Sequence, residues 1–308
     1  MDDVNRMEGG LRSPGWVHPR EREQDAVYRA YLFGPFRVFR GTELLGQRSQ
    51  RREKALLLLK WFLLNPGRPR SMDELIDLTC PATASDKAVS SFHVAMHCLR
   101  RMLEPELSRG EESSYIRRSG TNFYRFEAGD GWWTDTGEVD RLFEQGRTSD
   151  NRGNARRACF YYGQVVAHPV RRFLEDDDSQ KHWLAPHRRR YEALHTQALL
   201  RLIQIHGERG ELDESLEYAY QMQMVDPYNE LAAITIIEAD LDHGRPAHAR
   251  HRLCAFLESL RRDLGVAPSR ELLLLRDRVV RGSTRTNVGH RSLVDSPVAA
   301  AATAVRAG

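Results

Sequence analysis

The sequence predicts an α+β amino-terminal domain joined to an all-α carboxy-terminal one, and three observations carry that class. Strand-like runs, three helical runs and a hairpin signal follow one another between residues 28 and 130. Beyond "GDGWWTDTG" (129–137) the strand signals stop and helix-period apolar residues take over. Within that helical half, matching residues recur 34 positions apart, the period of a tetratricopeptide helix pair.

Residues 1–27 mix charges, carry Gly and Pro and show no period, which predicts an unstructured tail. The next stretch, "VYRAYLFGPFRVFRGTELLG", is rich in aromatics and Val and is cut by Gly34-Pro35 and Gly41; it predicts two or three short antiparallel strands. A helix follows, with Ser49 as its candidate cap and Asn65-Pro66-Gly67 as its stop. Its apolar core, "ALLLLKWFLL" (55–64), is interrupted by Lys60 and is too short to span a bilayer, so it predicts a buried helix. Ser71 precedes "MDELIDL" with Glu74 three residues on, a capping box that opens a short second helix ending at Pro81. A third helix runs from near Ser85 to Glu104, before Pro105. After it, "SYIRRSGTNFYRFE" places two strand-like runs around a Ser119-Gly120-Thr121-Asn122 turn. Strands, three helices and a hairpin make a winged helix-turn-helix layout, with the third helix as reader and the hairpin as wing.

In the helical half, Gly210 pairs with Gly244 at the 34-residue offset, as do Ala198 with Ala232, Leu202 with Ile236 and Ile203 with Ile237. A third copy starts at Gly153, which has Ala158 five residues on, as Gly210 has Ser215 and Gly244 has Ala249. A small tetratricopeptide-like solenoid is the expectation. The domains expected are thus 28–130, winged helix, and 131–282, helical; residues 283–308, small and polar with an Ala run, predict a second unstructured tail.

Charge narrows the function. The formal net charge is +3, but residues 28–130 hold 17 Lys+Arg against 12 Asp+Glu, whereas residues 131–282 hold 22 against 24. Only the first domain is suited to face a polyanion. The amino terminus lacks a basic start followed by an apolar stretch, so no secretory signal is expected. Cys80, Cys98, Cys159 and Cys254 form no CxxC and read as reduced thiols, with neither a disulfide framework nor a zinc knuckle.

The third helix concentrates the chemistry. At about 100° per residue, Ala88, Phe92, Ala95, Met96, Leu99, Met102 and Leu103 fall in one arc. Lys87, Ser90, His93, Val94, His97, Arg100 and Arg101 fall in the opposite one, with Asp86 at its start as the one acid before Glu104. One side is core and the other a basic, hydrogen-bonding strip. Arg can pair with guanine edges or phosphates, Ser and His with base edges or phosphates, and Val94 with a thymine methyl. Arg117 and Arg118 near the hairpin tip, with Asn122 in the turn, suit DNA backbone or minor groove. Arg48, Arg51 and Arg52 open the first helix, where side chains and free N–H groups can hold phosphate.

Other chemistries find less. His93 and His97, four apart, are half of a metal site, but a zincin needs Glu where Val94 stands and no cluster elsewhere has ligand spacing. No metal or cofactor is expected. The acids of "EDDDSQKHW" (175–183) approach His182, yet no nucleophile or metal constellation accompanies them, so no enzyme is expected. A charged strip is often only a solvated face, and a solenoid is often a peptide-binding groove. The rival to DNA binding is therefore a protein–protein adaptor whose winged helix has lost its nucleic acid.

On these residues the chain resembles the bacterial transcriptional activator domain regulators, the SARP type, which join an OmpR-like winged helix to a tetratricopeptide-like activator domain. "LFGPFRVFRG", "CLRRMLEP" and "SYIRRSGTNFYRF" carry the likeness in the first domain; "VDPYNE" (225–230) and "LRRDLGVAPSRELLLL" (260–275) carry it in the second. The resemblance covers about residues 30–282. It implies a cytoplasmic, nucleoid-associated bacterial activator that binds promoter direct repeats in double-stranded DNA as a homodimer and recruits RNA polymerase, without a membrane partner. Relatives vary at the positions of His93 and His97, so no target sequence carries over. No GxxxxGK[ST] follows the activator domain and no receiver domain precedes the winged helix, so neither ATP-driven nor phosphoacceptor control is expected in this chain.

Overall fold

The computed structural model describes residues 19–46, 50–80, 85–108, 110–177 and 182–281. They form two compact units, one of residues up to Leu142 together with His168–Tyr191, the other of Phe143–Ala167 and the residues from Glu192 on. The first division thus comes later than residue 130, the expected domain boundary; it and the division at 191/192 fall inside helices, and the one at 167/168 at a helix end.

The first unit opens with a helix, α1 (Pro19–Asp25), within the stretch expected to be an unstructured tail. Glu23 accepts a hydrogen bond from the Tyr31 hydroxyl, which fastens it to the sheet behind. Strands β1 (Tyr28–Tyr31), β2 (Arg37–Arg40) and β3 (Glu43–Leu44) pair antiparallel, Tyr28 opposite Arg40 and Phe39 opposite Leu44. The three-residue strand that joins them at the other edge, Trp132–Thr134, lies parallel to β1 with Tyr28 opposite Trp132. It was not expected, because three residues are too few to show a period of two. The Tyr28 and Trp132 rings stack at 4.4 Å there.

Helices α2 (Gln50–Leu64), α3 (Met72–Thr79) and α4 (Ser85–Leu103) follow as the sequence indicates; Ser49 and Pro81, the expected cap and stop, lie outside the described residues. The capping box is formed: the Ser71 hydroxyl accepts from the Glu74 N–H while the Glu74 carboxylate accepts from the Ser71 N–H. Ser71 also ends a two-residue strand, β4 (Arg70–Ser71), which pairs with the second strand of the hairpin β5 (Ile116–Ser119) and β6 (Phe123–Phe126). The wing is therefore a three-stranded sheet, β4-β6-β5, with the hairpin braced along one edge. The strand Trp132–Thr134 becomes β7.

Lys60, the charge inside the apolar run, has a partner that the sequence could not name. Its ammonium stands 5.0 Å over the Phe36 ring and pairs with Asp177, both side chains largely buried. Asp177 belongs to the segment His168–Tyr191, which packs along the end of β1: the Gly34 N–H donates to Arg172 O at 2.7 Å and the Leu174 N–H to Leu32 O at 2.7 Å. Glu175 pairs with Arg172. Of the acids of "EDDDSQKHW", Glu175 and Asp177 are thus held by cations and Asp176 is exposed; its residues 178–181 lie outside the described set.

Asp135 closes the unit. Its carboxylate, 4% exposed, accepts from the backbone N–H groups of Leu32, Phe33 and Thr136 at 2.8–2.9 Å. It stands at the first turn of α5 (Asp135–Asn151) and satisfies N–H groups that would otherwise be buried without partners.

The second unit is helical. Its elements are the end of α5, α6 (Ala155–Ala167), the end of α7 (Ala185–Glu208), α8 (Leu212–Val225), α9 (Glu230–Asp242), α10 (Pro246–Ser259) and α11 (Arg270–Arg281), with a π turn at Leu260–Leu264. The internal repeat is exact in its turns. Gly153, Gly210 and Gly244 all have φ near +70°. Each donates to the carbonyl three residues before it, the residue after each donates to the carbonyl five before itself, and the residue five on (Ala158, Ser215, Ala249) donates back to that same post-glycine residue. Ala158, Ser215 and Ala249 are all buried, because only a small side chain fits where the second helix of a pair leans on the first. The Gly153 turn stands 57 residues before Gly210 rather than 34, since the inserted segment His168–Tyr191 lies between them and packs in the other unit. A Cβ on Gly244 would meet nothing within 4 Å, so only its left-handed backbone resists substitution. Gly244→Ala should cost about 1 kcal/mol, measurable as a lower urea midpoint at unchanged slope.

Candidate nucleic-acid interface

α4 is seated by its apolar arc. Ala88, Phe92, Ala95, Met96, Leu99 and Leu103 are all at most 3% exposed, and Met102 is half-buried. Polar ties then fix where the opposite arc points. Lys54 on α2 donates to the Ser91 hydroxyl at 2.8 Å and lies 3.0 Å from the Cys80 sulfur at the end of α3, so one ammonium joins all three helices. The Tyr28 hydroxyl donates to the Leu103 carbonyl, anchoring the last turn to the first sheet. Glu104 accepts from the Ser113 hydroxyl and, at 2.8 Å, from the Ser114 N–H, which ties the end of the helix to the start of the wing. These positioning groups are invisible to a helical wheel, because each acts on a residue far away in sequence or on a backbone carbonyl.

The strip itself is sorted by the structure. Lys87, Ser90, His93, Val94 and His97 are exposed together, and Val94 keeps 50% of its surface in water. Arg101 is exposed at the far end, where its guanidinium donates to Leu107 O at 2.9 Å. It also lines an open cleft with Arg40, Leu44, Leu45, Cys98 and Met102. Arg100 departs from the expected strip. It is half-buried, donates to the Ile116 carbonyl of β5 at 3.3 Å, and has a buried Nε without a hydrogen-bond partner. Burial, and then the like charge of Arg118, make its guanidinium easier to deprotonate than usual.

Register decides the wing. Arg118 lies opposite Tyr124 and Arg117 opposite Arg125. Tyr124 and Phe126 point inward, Tyr124 packing edge-on against Phe92 of α4 at 5.6 Å. Arg118 shares that side, donating to the Tyr124 hydroxyl at 3.3 Å with its guanidinium 5.7 Å over the ring. Arg117 lies on the other face and pairs with Glu127 at 2.9 Å, as does Arg125 at 2.6 Å. Asn122 is exposed in the turn, and its carbonyl accepts from the Met72 N–H at 2.7 Å. The structure therefore brings Arg118 and Arg100 together beside α4 and sets Arg117 apart. Arg48 lies outside the described residues, as do the side chains of Arg51 and Arg52. One residue the sequence reading passed over is Phe123, which exposes 46% of its surface beside the turn.

Among the described residues no group of three or more His, Cys, Asp or Glu is placed to hold a metal ion, and no helix is long and apolar enough to cross a membrane. His93 and His97 stand on the strip with no third such residue beside them among those described.

Residues 134–280 match the family model of the bacterial transcriptional activator domain. The fold is similar to that of Mycobacterium tuberculosis EmbR, solved in complex with a low-affinity phosphopeptide: TM-score 0.67 at 18% identity, over 91% of this chain and 70% of that one. No curated protein matches the sequence at a significant level. Residues 134–280 thus carry the match to the bacterial transcriptional activator domain, and a winged helix-turn-helix stands ahead of them.

Proposed function

We propose that the protein binds double-stranded DNA sequence-specifically through α4 and the wing, and activates transcription from promoter direct repeats as a homodimer that recruits RNA polymerase in the bacterial cytoplasm. The observation that carries this reading is the exposed, nearly acid-free strip of Lys87, Ser90, His93, Val94 and His97 on a helix pinned at both ends beside a braced hairpin. Val94 stands among these polar side chains with half of its surface exposed. In a major groove that isopropyl group meets thymine methyls while the polar neighbours reach base edges.

Roles divide as the geometry divides. Lys87, Ser90, His93, Val94 and His97 enter the groove. Arg101 reaches a phosphate from the end of the helix. Arg118 and Asn122 serve the flanking backbone from the wing. Arg100 is chiefly a positioning residue, holding α4 to β5, and Arg117 contributes charge from the outer face. Arg48, Arg51 and Arg52 keep their proposed role as phosphate contacts.

Footprinting on duplexes enriched from genomic DNA, repeated across a salt series, tests the reading. Binding should weaken steeply with salt as condensed counterions are released, and the footprint should show two equally oriented half-sites. A protein–protein adaptor would protect no duplex even at low salt. Arg101→Ala should lower affinity by about 1–3 kcal/mol if its guanidinium meets a base, and by less with a shallower salt slope if it meets a phosphate. Unchanged affinity in the folded variant removes Arg101 from the interface.

A further inference from the structure

We infer that Phe123 is an apolar wedge through which the wing grips duplex DNA, its ring set against a base step of the minor groove beside the segment read by α4. The inference rests on the DNA-binding reading above and adds a contact of a different kind, apolar rather than cationic.

Among the described residues Phe123 is the one phenylalanine that is strongly exposed. It does not sit on a loose loop. It lies on β6, the middle strand of the wing sheet, with Ser119 opposite it on one side and Ser71 on the other. A ring held by a backbone paired on both sides loses little freedom on contact, so burying it on a partner is favourable from the outset. The turn beside it is kept tight by Gly120 at φ +71°, which leaves Thr121 and Asn122 exposed around the ring.

Location and charge select the partner. Tyr124, the next residue, packs on Phe92, whose ring lies 5.7 Å from that of His93, so β6 runs beside the part of α4 that carries the strip. Arg117 and Arg125 share the outer face with Phe123 and have Glu127 between them, which leaves that face net positive. An apolar protein groove would have to bury those guanidinium groups. A minor groove accepts them at its phosphate edges while the ring wedges a base step, the arrangement by which apolar side chains deform duplexes.

The test uses duplexes captured by the full-length wild-type protein from a random-sequence pool, with 2-aminopurine placed in turn at each step flanking the footprint. Wild-type protein should raise the fluorescence of one flanking step as that base unstacks. Phe123→Ala should abolish the signal and weaken binding about tenfold, with the salt slope unchanged because no phosphate contact is lost. Phe123→Leu should restore most of both and Phe123→Ser neither. Wild-type affinity and an unchanged 2-aminopurine signal in folded Phe123→Ala, with binding lost in Lys87→Glu, would overturn the wedge and leave the α4 reading standing. Failure of the wild-type protein to capture any duplex at low salt would overturn both.

Discussion

Asp135→Ala should destabilise the first unit by about 3 kcal/mol or more, the largest stability effect expected of a single polar substitution in this chain. The carboxylate accepts from three backbone N–H groups that have no water to turn to, on Leu32, Phe33 and Thr136. Removing it leaves all three unpaired in a dry interior, and each unpaired donor costs about 1–3 kcal/mol, with the sum less than additive. Asp135→Asn should fall between, because an amide keeps one acceptor oxygen but turns an NH2 toward N–H donors. Equal urea midpoints for wild type and Asp135→Ala would show that those N–H groups find other partners.

The same residue sets a pH dependence. Burial pushes the Asp135 carboxyl up to about 7, against the pull of its backbone donors. In the unfolded chain the carboxyl titrates at its ordinary value of 3.8, so between about pH 4 and pH 7 the folded form holds the extra proton. The contribution of Asp135 to stability is therefore full below pH 4 and declines as pH rises through 7. His168 and His187, both held down by burial, act in the opposite sense. The measurement is accordingly the difference in urea midpoint between wild type and Asp135→Ala at several pH values, which should shrink from pH 5 to pH 8. A difference that grows over that range would show that the hydrogen bonds to the ionised carboxylate outweigh burial.

Lys87→Glu should give the largest loss of DNA binding, tenfold or more at moderate salt, because it both removes a cation and sets an anion against phosphates. Lys87 is exposed at the amino-terminal end of α4 and is outside the packed arc, so the variant should fold with an unchanged circular dichroism spectrum and melting point. Its plot of log affinity against log salt should be shallower by about one counterion or more. Wild-type affinity in the variant would move the interface off this end of the strip, toward Arg101 and the cleft beside it. Pairing Lys87→Glu with His93→Ala adds a second check. Residues that share one groove should show coupled losses, whereas independent solvent-exposed residues should show none.

Much of this architecture was legible from local chemistry. The capping box at Ser71 and Glu74, the stop after Leu64 and the turn at 119–122 depend on neighbours within four residues, and each is where the sequence puts it. The arc of α4 was equally legible, since a period of 3.6 residues is written directly in the order of apolar side chains. The repeat in the helical half was visible at its small residues, because a left-handed turn admits Gly and a close helix pair admits Ala or Ser. What misled was length: β7 and α1 are too short for periodicity to reveal, and tertiary partners stabilise them.

The sequence by itself determined the class of the fold, the helix that presents a cationic strip, and the order of the parts, because those follow from interactions among near neighbours. Only the tertiary structure decided which members of the strip are available. Arg100 is spent on the Ile116 carbonyl and Arg117 on Glu127, while Arg118 turns toward α4 and Phe123 toward solvent. The physical reason is that strand register and helix-end ties join residues that are remote along the chain. Shifting β5 by one position against β6 would exchange the two arginines between faces without changing a single letter.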